Sequence, residues 1–196
     1  MPEAPDFEAM YRRDRDPFRV RDSWYERRKL AVVLASLSRA TYALGWDPAC
    51  GTGDLALALD ARCERFLASD LSAEAVQITK ALVAGRPEVE VTLNSLPRPV
   101  PGHRPDVILL SEVLYYLPES ARAETYTMVD QAAAESAAEI LTVHWRHHPD
   151  DAYLSGTAVT DELGSALHAR GWTDAVRHTD LDFVLASWLR DPKDTP

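Results

Sequence analysis

The chain has 196 residues, enough for one α/β domain with a full core and too few for two of ordinary size. Its formal net charge of −10 argues against a nucleic-acid partner, because phosphate binding needs a basic face. Two cysteines, Cys50 and Cys63, make no disulfide framework, and no apolar run approaches the roughly 20 residues a membrane helix needs.

The amino terminus lacks the basic start and apolar stretch of a signal peptide, so the expected location is the cytoplasm. Residues 1–21 are polar with three prolines and are expected to form a flexible arm that lies loose or drapes over the domain, with a single domain over 22–196. Charge is uneven: residues 11–29 hold eight Arg or Lys against four Asp or Glu, which leaves −14 for the rest. That basic stretch reads as a solvated face or as help in holding an anionic group of a ligand. Ser23-Trp-Tyr-Glu26 fits a capping box, an acceptor side chain with Glu three residues on. The helix behind it carries Trp24, Leu30, Val33, Leu34 and Leu37 at helical spacing. Arg27 and Lys29 read as solvated positions on it.

Residues 44–47 read as the first strand and 55–61 as the first crossover helix. Between them lies Asp47-Pro-Ala-Cys-Gly51-Thr-Gly53. Gly51 and Gly53 let a ligand approach the backbone, because glycine has no Cβ and tolerates positive φ. Cys50 reads as a small residue within this turn. A dinucleotide fingerprint needs G-x-G-x-x-G directly after the strand, and the third glycine is missing here. Residues 66–69 form the second strand, closed by Asp70. An acid at the end of the second strand suits the two hydroxyls of a ribose.

Ser72 caps the next helix, with Glu74 in its first turn and Gly85 ending it before Pro87. Residues 89–93 alternate apolar and polar as a third strand, followed by Asn94-Ser95-Leu96-Pro97. Four prolines in residues 97–105 demand a loop. Residues 106–110 are nearly all apolar, as in a central parallel strand buried on both faces. Ser111-Glu112-Val-Leu-Tyr115-Tyr116 follows. Ligands of an open α/β sheet bind beyond the carboxyl ends of its strands, so Glu112 and the two tyrosines are expected at the reaction site. Pro118 and Glu119 suit the start of a helix reaching residue 136. A fifth strand over 138–143 ends in His144-Trp145-Arg146-His147-His148. The spacing of the three histidines is not that of a zinc site, so no metal is expected and His144 is read as a site residue. Thr160-Asp-Glu is expected to start the last helix, ended by Gly171. Residues 172–179 and 182–188 are joined too tightly for a helical crossover and should pair antiparallel. The order implies a doubly wound, Rossmann-like, mostly parallel α/β sheet.

The glycine turn resembles motif I of class I S-adenosylmethionine-dependent methyltransferases, D-x-G-x-G-x-G. Asp47, Gly51 and Gly53 match, and Ala49 replaces the first glycine. The resemblance implies a seven-stranded sheet with the last strand inserted antiparallel. Within that class, Asp16-Pro-Phe with Ser23-Trp-Tyr-Glu-Arg-Arg-Lys29, Ser111-Glu-Val-Leu-Tyr-Tyr-Leu117 and His144-Trp-Arg-His147 look like the nodulation protein S family. Those enzymes methylate the free amino group of a deacetylated chitooligosaccharide.

The resemblance implies S-adenosylmethionine as cofactor, S-adenosylhomocysteine as product, and a small-molecule or oligosaccharide acceptor, most naturally an amine. It places the methionine moiety on Gly51, Gly53 and the following helix end, the ribose on Asp70 and an adenine face on Leu71. The carbonyl of Ser111 would accept from the cofactor's amino group. The family's acidic residue near adenine is absent, and Asn94 and Ser95 stand there instead. In such folds a helix before the first strand roofs the substrate pocket, which makes Trp24, Tyr25 and Arg28 substrate candidates, together with Trp145 and Arg146. Tyr115 and Tyr116 would face the sulfonium through their rings. An amine must lose a proton before attack, and Glu112 or His144 would accept it or orient the amine. Two other readings use the same sheet: a nucleotide-sugar or dinucleotide enzyme, and a binding protein that does no chemistry. The oligomeric state is open.

Overall fold

Seven strands form one sheet in the order β3-β2-β1-β4-β5-β7-β6, in a computed structural model that describes residues 5–134 and 137–190. The strands are β1 Tyr42–Asp47, β2 Cys63–Asp70, β3 Val89–Leu93, β4 Val107–Ser111, β5 Ala138–Trp145, β6 Thr173–Thr179 and β7 Phe183–Arg190. All neighbours from β3 to β5 pair parallel. β7 runs antiparallel between β5 and β6, so the tight turn after β6 places the last strand inside the sheet.

The sheet is buried on both faces, and β4 shows it most directly. Val107 and Leu109 enter one apolar cluster, while Ile108 and Leu110 enter the other. Successive side chains of a strand point to opposite faces, so a continuous apolar run is what two covered faces require. Each such side chain, fully out of water, contributes about 1.5–3 kcal/mol. The helices covering the faces are α2 Trp24–Ser36, α3 Asp54–Leu59, α4 Ala73–Leu82, α5 Glu119–Ala132 and α6 Gly156–His168. No helix among the described residues is long and apolar enough to cross a membrane.

Three expectations are corrected. The stretch expected as an arm, loose or draped over the domain, carries a helix, α1, over Phe7–Arg13. Asp6 caps it by accepting from the Ala9 N–H at 3.0 Å. Glu8 then accepts from Ser72 Oγ at 2.6 Å and from the Glu74 N–H at 3.1 Å, docking α1 on the first turn of α4. Tyr11, with Phe7 packed alongside, shares a small apolar cluster with Ala75 and Ile78. The last helix begins four residues before Thr160, because Ser155 is the cap and accepts from the Ala158 N–H at 3.1 Å. Thr160 Oγ1 instead donates back to the Gly156 carbonyl within the helix at 2.8 Å. Gly156 is required there, since a Cβ would lie 2.0 Å from the Trp145 carbonyl oxygen. The preceding helix ends at Ala132, where Ala133 leaves the helical conformation at ψ 150°, short of the expected residue 136, which itself lies outside the described residues. The fifth strand extends to Trp145 and so includes His144.

Candidate active site

A cavity of about 750 Å³ opens beyond the carboxyl ends of β1, β2, β4 and β5. Its floor is the glycine turn. Gly51 sits at φ +53° and Gly53 at φ +86°, backbone conformations that side chains rarely adopt. A Cβ on Gly51 would meet Tyr11 Oη at 2.8 Å, and one on Gly53 would meet Thr79 Cγ2 at 2.8 Å. Space and backbone therefore demand glycine at both positions. Ala49, where the motif has glycine, lines the cavity without such crowding.

Two buried carboxylates face this floor. Asp70 accepts from the Gly51 N–H and the Ser72 N–H, both at 2.9 Å. Burial raises its pKa against those bonds. Among the described residues Asp47 has one hydrogen bond, from the Ala49 N–H at 3.1 Å. Burial, with Asp70 beside it, pushes Asp47 up to about 7. A pair of desolvated acids lining one cavity suits a ligand that brings donors or positive charge. S-adenosylmethionine brings both, as ribose hydroxyls, an ammonium and a sulfonium, so the residues fit it. Leu71, Ser95 and Ser111 also line the cavity, and Leu71 is 54% exposed. Asn94 does not line it, because its side-chain amide donates to the Arg98 carbonyl at 2.8 Å.

The opposite wall is ionic and aromatic. Glu112 stands just past β4 at φ +52°, a strained position for a non-glycine residue. Its carboxylate is held by four donors. Lys29 Nζ at 2.6 Å and Tyr25 Oη at 3.4 Å reach Oε1. Tyr115 Oη at 2.5 Å and the Trp145 N–H at 2.8 Å reach Oε2. Burial works against the charged form, but Lys29 and these bonds outweigh it and lower the Glu112 pKa. Lys29 also contacts Glu26 Oε2 at 2.9 Å. Tyr25, Tyr115, Tyr116 and Trp145 line the cavity as expected.

Besides Asn94, four more expected site residues lie elsewhere. His144 is fully buried and does not line the cavity. Its Nε2 accepts from the Leu114 N–H at 3.2 Å. That leaves the proton on Nδ1, which donates to Thr142 Oγ1 at 2.9 Å, while Thr142 donates to the Leu110 carbonyl. Both nitrogens are used, and burial lowers the pKa to about 4. His144 therefore has no lone pair for an acceptor proton. Trp24 is 71% exposed, with Arg27 above its ring, and is outside the cavity lining. Arg28 turns away to pair with Asp180 and stack on Phe183 at 5.2 Å. Arg146 donates to the Asp180 carbonyl.

Several lining residues were not anticipated, namely Tyr11, Phe18 and Arg21 from the amino-terminal segment, and Glu26 and Lys29 from α2. The signal for Tyr11 was present, since Phe7 and Tyr11 are spaced for one helix face behind a capping Asp6. Glu26 and Lys29 share the i,i+3 spacing of an ion pair on a helix, but nothing in the spacing shows that the pair faces inward.

The family model described as nodulation protein S (NodS) matches residues 7–138. No curated protein matches the sequence. A putative methyltransferase from Pseudomonas syringae is 30% identical, with 86% of this chain and 100% of that chain covered and a TM-score of 0.73. The N-methyltransferase NodS from Bradyrhizobium japonicum WM9, solved with S-adenosylhomocysteine, is 17% identical, covers 94% of this chain and 98% of its own, and has a TM-score of 0.79. The glycopeptide N-methyltransferase MtfA is 14% identical over 84% of this chain and 90% of its own, with a TM-score of 0.67. The family match spans more than half of the chain and meets a sheet order and a glycine turn that agree with it: this protein belongs to the nodulation protein S family and is an S-adenosylmethionine-dependent methyltransferase.

Proposed function

We propose that the enzyme methylates an amine of a small-molecule or oligosaccharide acceptor. One observation carries this reading. On the wall opposite the glycine turn Lys29 lies between two carboxylates, Glu26 and Glu112, so this three-residue cluster carries a net charge of −1, while the guanidinium of Arg27 beside it is held over the Trp24 ring and on the Asp22 carbonyl. When bound, S-adenosylmethionine supplies an electrophilic methyl on a cationic sulfur. Methyl transfer from it to an amine would leave positive charge on the acceptor nitrogen, beside Glu26 and Glu112. Fixed negative charge on the acceptor side stabilises that charge where it arrives. The N-methyltransferase neighbours support the same choice over oxygen.

The other residues divide by side of the cavity. The Gly51–Gly53 turn seats the methionine part, and Arg21, in the lining, offers its carboxylate a cation. Asp70 accepts from the ribose hydroxyls, Leu71 covers an adenine face, Ser95 meets its polar edge, and the Ser111 carbonyl accepts from the cofactor's amino group. Tyr25 and Tyr115 donate to Glu112, which leaves their oxygen lone pairs for acceptor N–H groups. Holding reactants in register in this way is worth several kcal/mol up to about 10.

Labelled S-adenosylmethionine offered with primary amines and with alcohols of matched skeleton tests the reading, with products identified by mass. Amines are methylated and the alcohols are not. Transfer to the alcohols alone would refute it.

A further inference from the structure

We propose that Glu26 is the residue that meets the acceptor nitrogen and takes its proton; this rests on the amine reading above. Lys29 Nζ lies between two carboxylates, 2.6 Å from Glu112 and 2.9 Å from Glu26, so both acids stand on one wall of the cavity. They differ in what they have left to offer. A carboxylate has about four lone-pair sites, and those of Glu112 are taken by Lys29, Tyr25, Tyr115 and the Trp145 N–H. Among the described residues Glu26 carries only the Lys29 ammonium, at 3.0 Å on Oε1 and 2.9 Å on Oε2. It retains lone pairs for a ligand.

The helix start leaves Glu26 available for this. A capping box would turn its side chain back onto the Ser23 N–H. That N–H instead donates to the Arg19 carbonyl at 3.1 Å, while Ser23 Oγ still accepts from the Glu26 N–H at 3.4 Å. The backbone of Glu26 closes the cap and its carboxylate enters the cavity. The two acids are also pushed apart. Burial raises the Glu26 pKa, Lys29 opposes it, and Glu112 and Asp16 add to the rise, whereas Glu112 is lowered. Pairs of acids separated in this way divide their roles, the lowered one as fixed charge and the raised one as proton carrier. In the step assigned here, an N–H bond of the acceptor ammonium breaks with its electron pair left on nitrogen. The proton forms an O–H bond on Glu26. The neutral amine then has its lone pair for the methyl, and Glu26 returns the proton to bulk water.

The probe is sinefungin, which carries a primary ammonium where the cofactor has its sulfonium methyl. Its affinity relative to S-adenosylhomocysteine is measured by calorimetry for the wild type, Glu26→Gln and Glu112→Gln. We expect sinefungin to bind the wild type at least about tenfold more tightly, the contribution of a charge-assisted hydrogen bond. Glu26→Gln removes that preference and leaves S-adenosylhomocysteine affinity within about twofold. A preference kept in Glu26→Gln and lost in Glu112→Gln overturns the proposal while the amine reading stands. Loss of S-adenosylhomocysteine binding in Glu26→Gln also overturns it, because Glu26 would then serve the cofactor or the fold. No preference in a wild type that binds S-adenosylhomocysteine normally removes the amine reading itself.

Discussion

Asp70→Ala is the sharpest test of the cofactor half of the cavity. In the ligand-free protein its carboxylate holds the Gly51 and Ser72 N–H groups at 2.9 Å each. Charge-assisted bonds of this kind contribute about 1.5–3 kcal/mol each, but removing a desolvated acid returns part of that, so a net loss of about 2 kcal/mol is expected. For a chain of this size that lowers the melting midpoint by about 4–8 °C. Binding loses more, because two ribose hydroxyls lose a buried ionic acceptor, about 3 kcal/mol or roughly 150-fold. Ligand-induced stabilisation then separates fold from contact. S-adenosylhomocysteine at 100 times the wild-type Kd stabilises the wild type by about 2.7 kcal/mol. At the same concentration the variant, with a Kd about 150-fold weaker, gains about 0.3 kcal/mol, an upward shift of about 1 °C. Melting with and without ligand, with calorimetry for the Kd, gives both numbers. A variant whose Kd stays within threefold of the wild type, whatever its midpoint, would refute the ribose contact.

Three other outcomes follow from the same geometry. Asp47, pushed up to about 7, binds more protons folded than unfolded between about pH 4 and 7, so it makes stability fall as pH rises through that window. Asp47→Asn keeps an acceptor for the Ala49 N–H, so it should stabilise the ligand-free protein at pH 8 by a few kcal/mol and flatten that slope; urea midpoints from pH 5 to 8 that fall in parallel for both proteins would contradict it. His144→Gln keeps an acceptor for the Leu114 N–H but loses the bond to Thr142, which costs about 1–3 kcal/mol in urea unfolding. Turnover per folded molecule should change less than about tenfold, since neutral His144 makes no proton transfer, and a larger loss would return it to the reaction. Trp24→Ala, at a site 71% exposed and outside the cavity, should shift stability by about 0.5 kcal/mol or less and leave the acceptor KM unchanged; a severalfold rise in KM would bring Trp24 to the substrate.

The sheet was legible because its strands have no second use. Residues 107–110 are all apolar, and only a strand covered on both sides explains that. Tight joining of the last two strands forced their antiparallel pairing, and their register confirms it. The misplaced start of α6 has a local cause. Thr160 has the composition of a cap, but Ser155 stands earlier, and the close approach of Gly156 to Trp145 fixes where the turn begins. The helix in the amino-terminal segment is illegible for a different reason. Its composition is polar, and a seven-residue helix has little propensity to stand alone. It is held by partners distant in sequence, Glu8 on Ser72 and Tyr11 over Gly51. Composition cannot show such partners.

The site divides along the same line. Asp47, Gly51, Gly53 and Asp70 sit where spacing alone places them, because strand and turn fix their positions with no help from the rest of the chain. Around the acceptor, spacing places residues near the site without saying which way they face. Glu112 and His144 both end up past strands at the correct end of the sheet. Yet one residue lies in the cavity, and the other is sealed by two hydrogen bonds beneath it. Glu26 shows the inverse. Its sequence context assigns the carboxylate a capping duty, and that duty disappears once the Ser23 N–H finds the Arg19 carbonyl. The amino-terminal segment that composition treats as loose thus supplies the bond that sends Glu26 toward Lys29. Acceptor chemistry in this protein depends on how residues 5–20 pack as much as on the strand ends, and variants in that segment should be read for turnover as well as for cofactor binding.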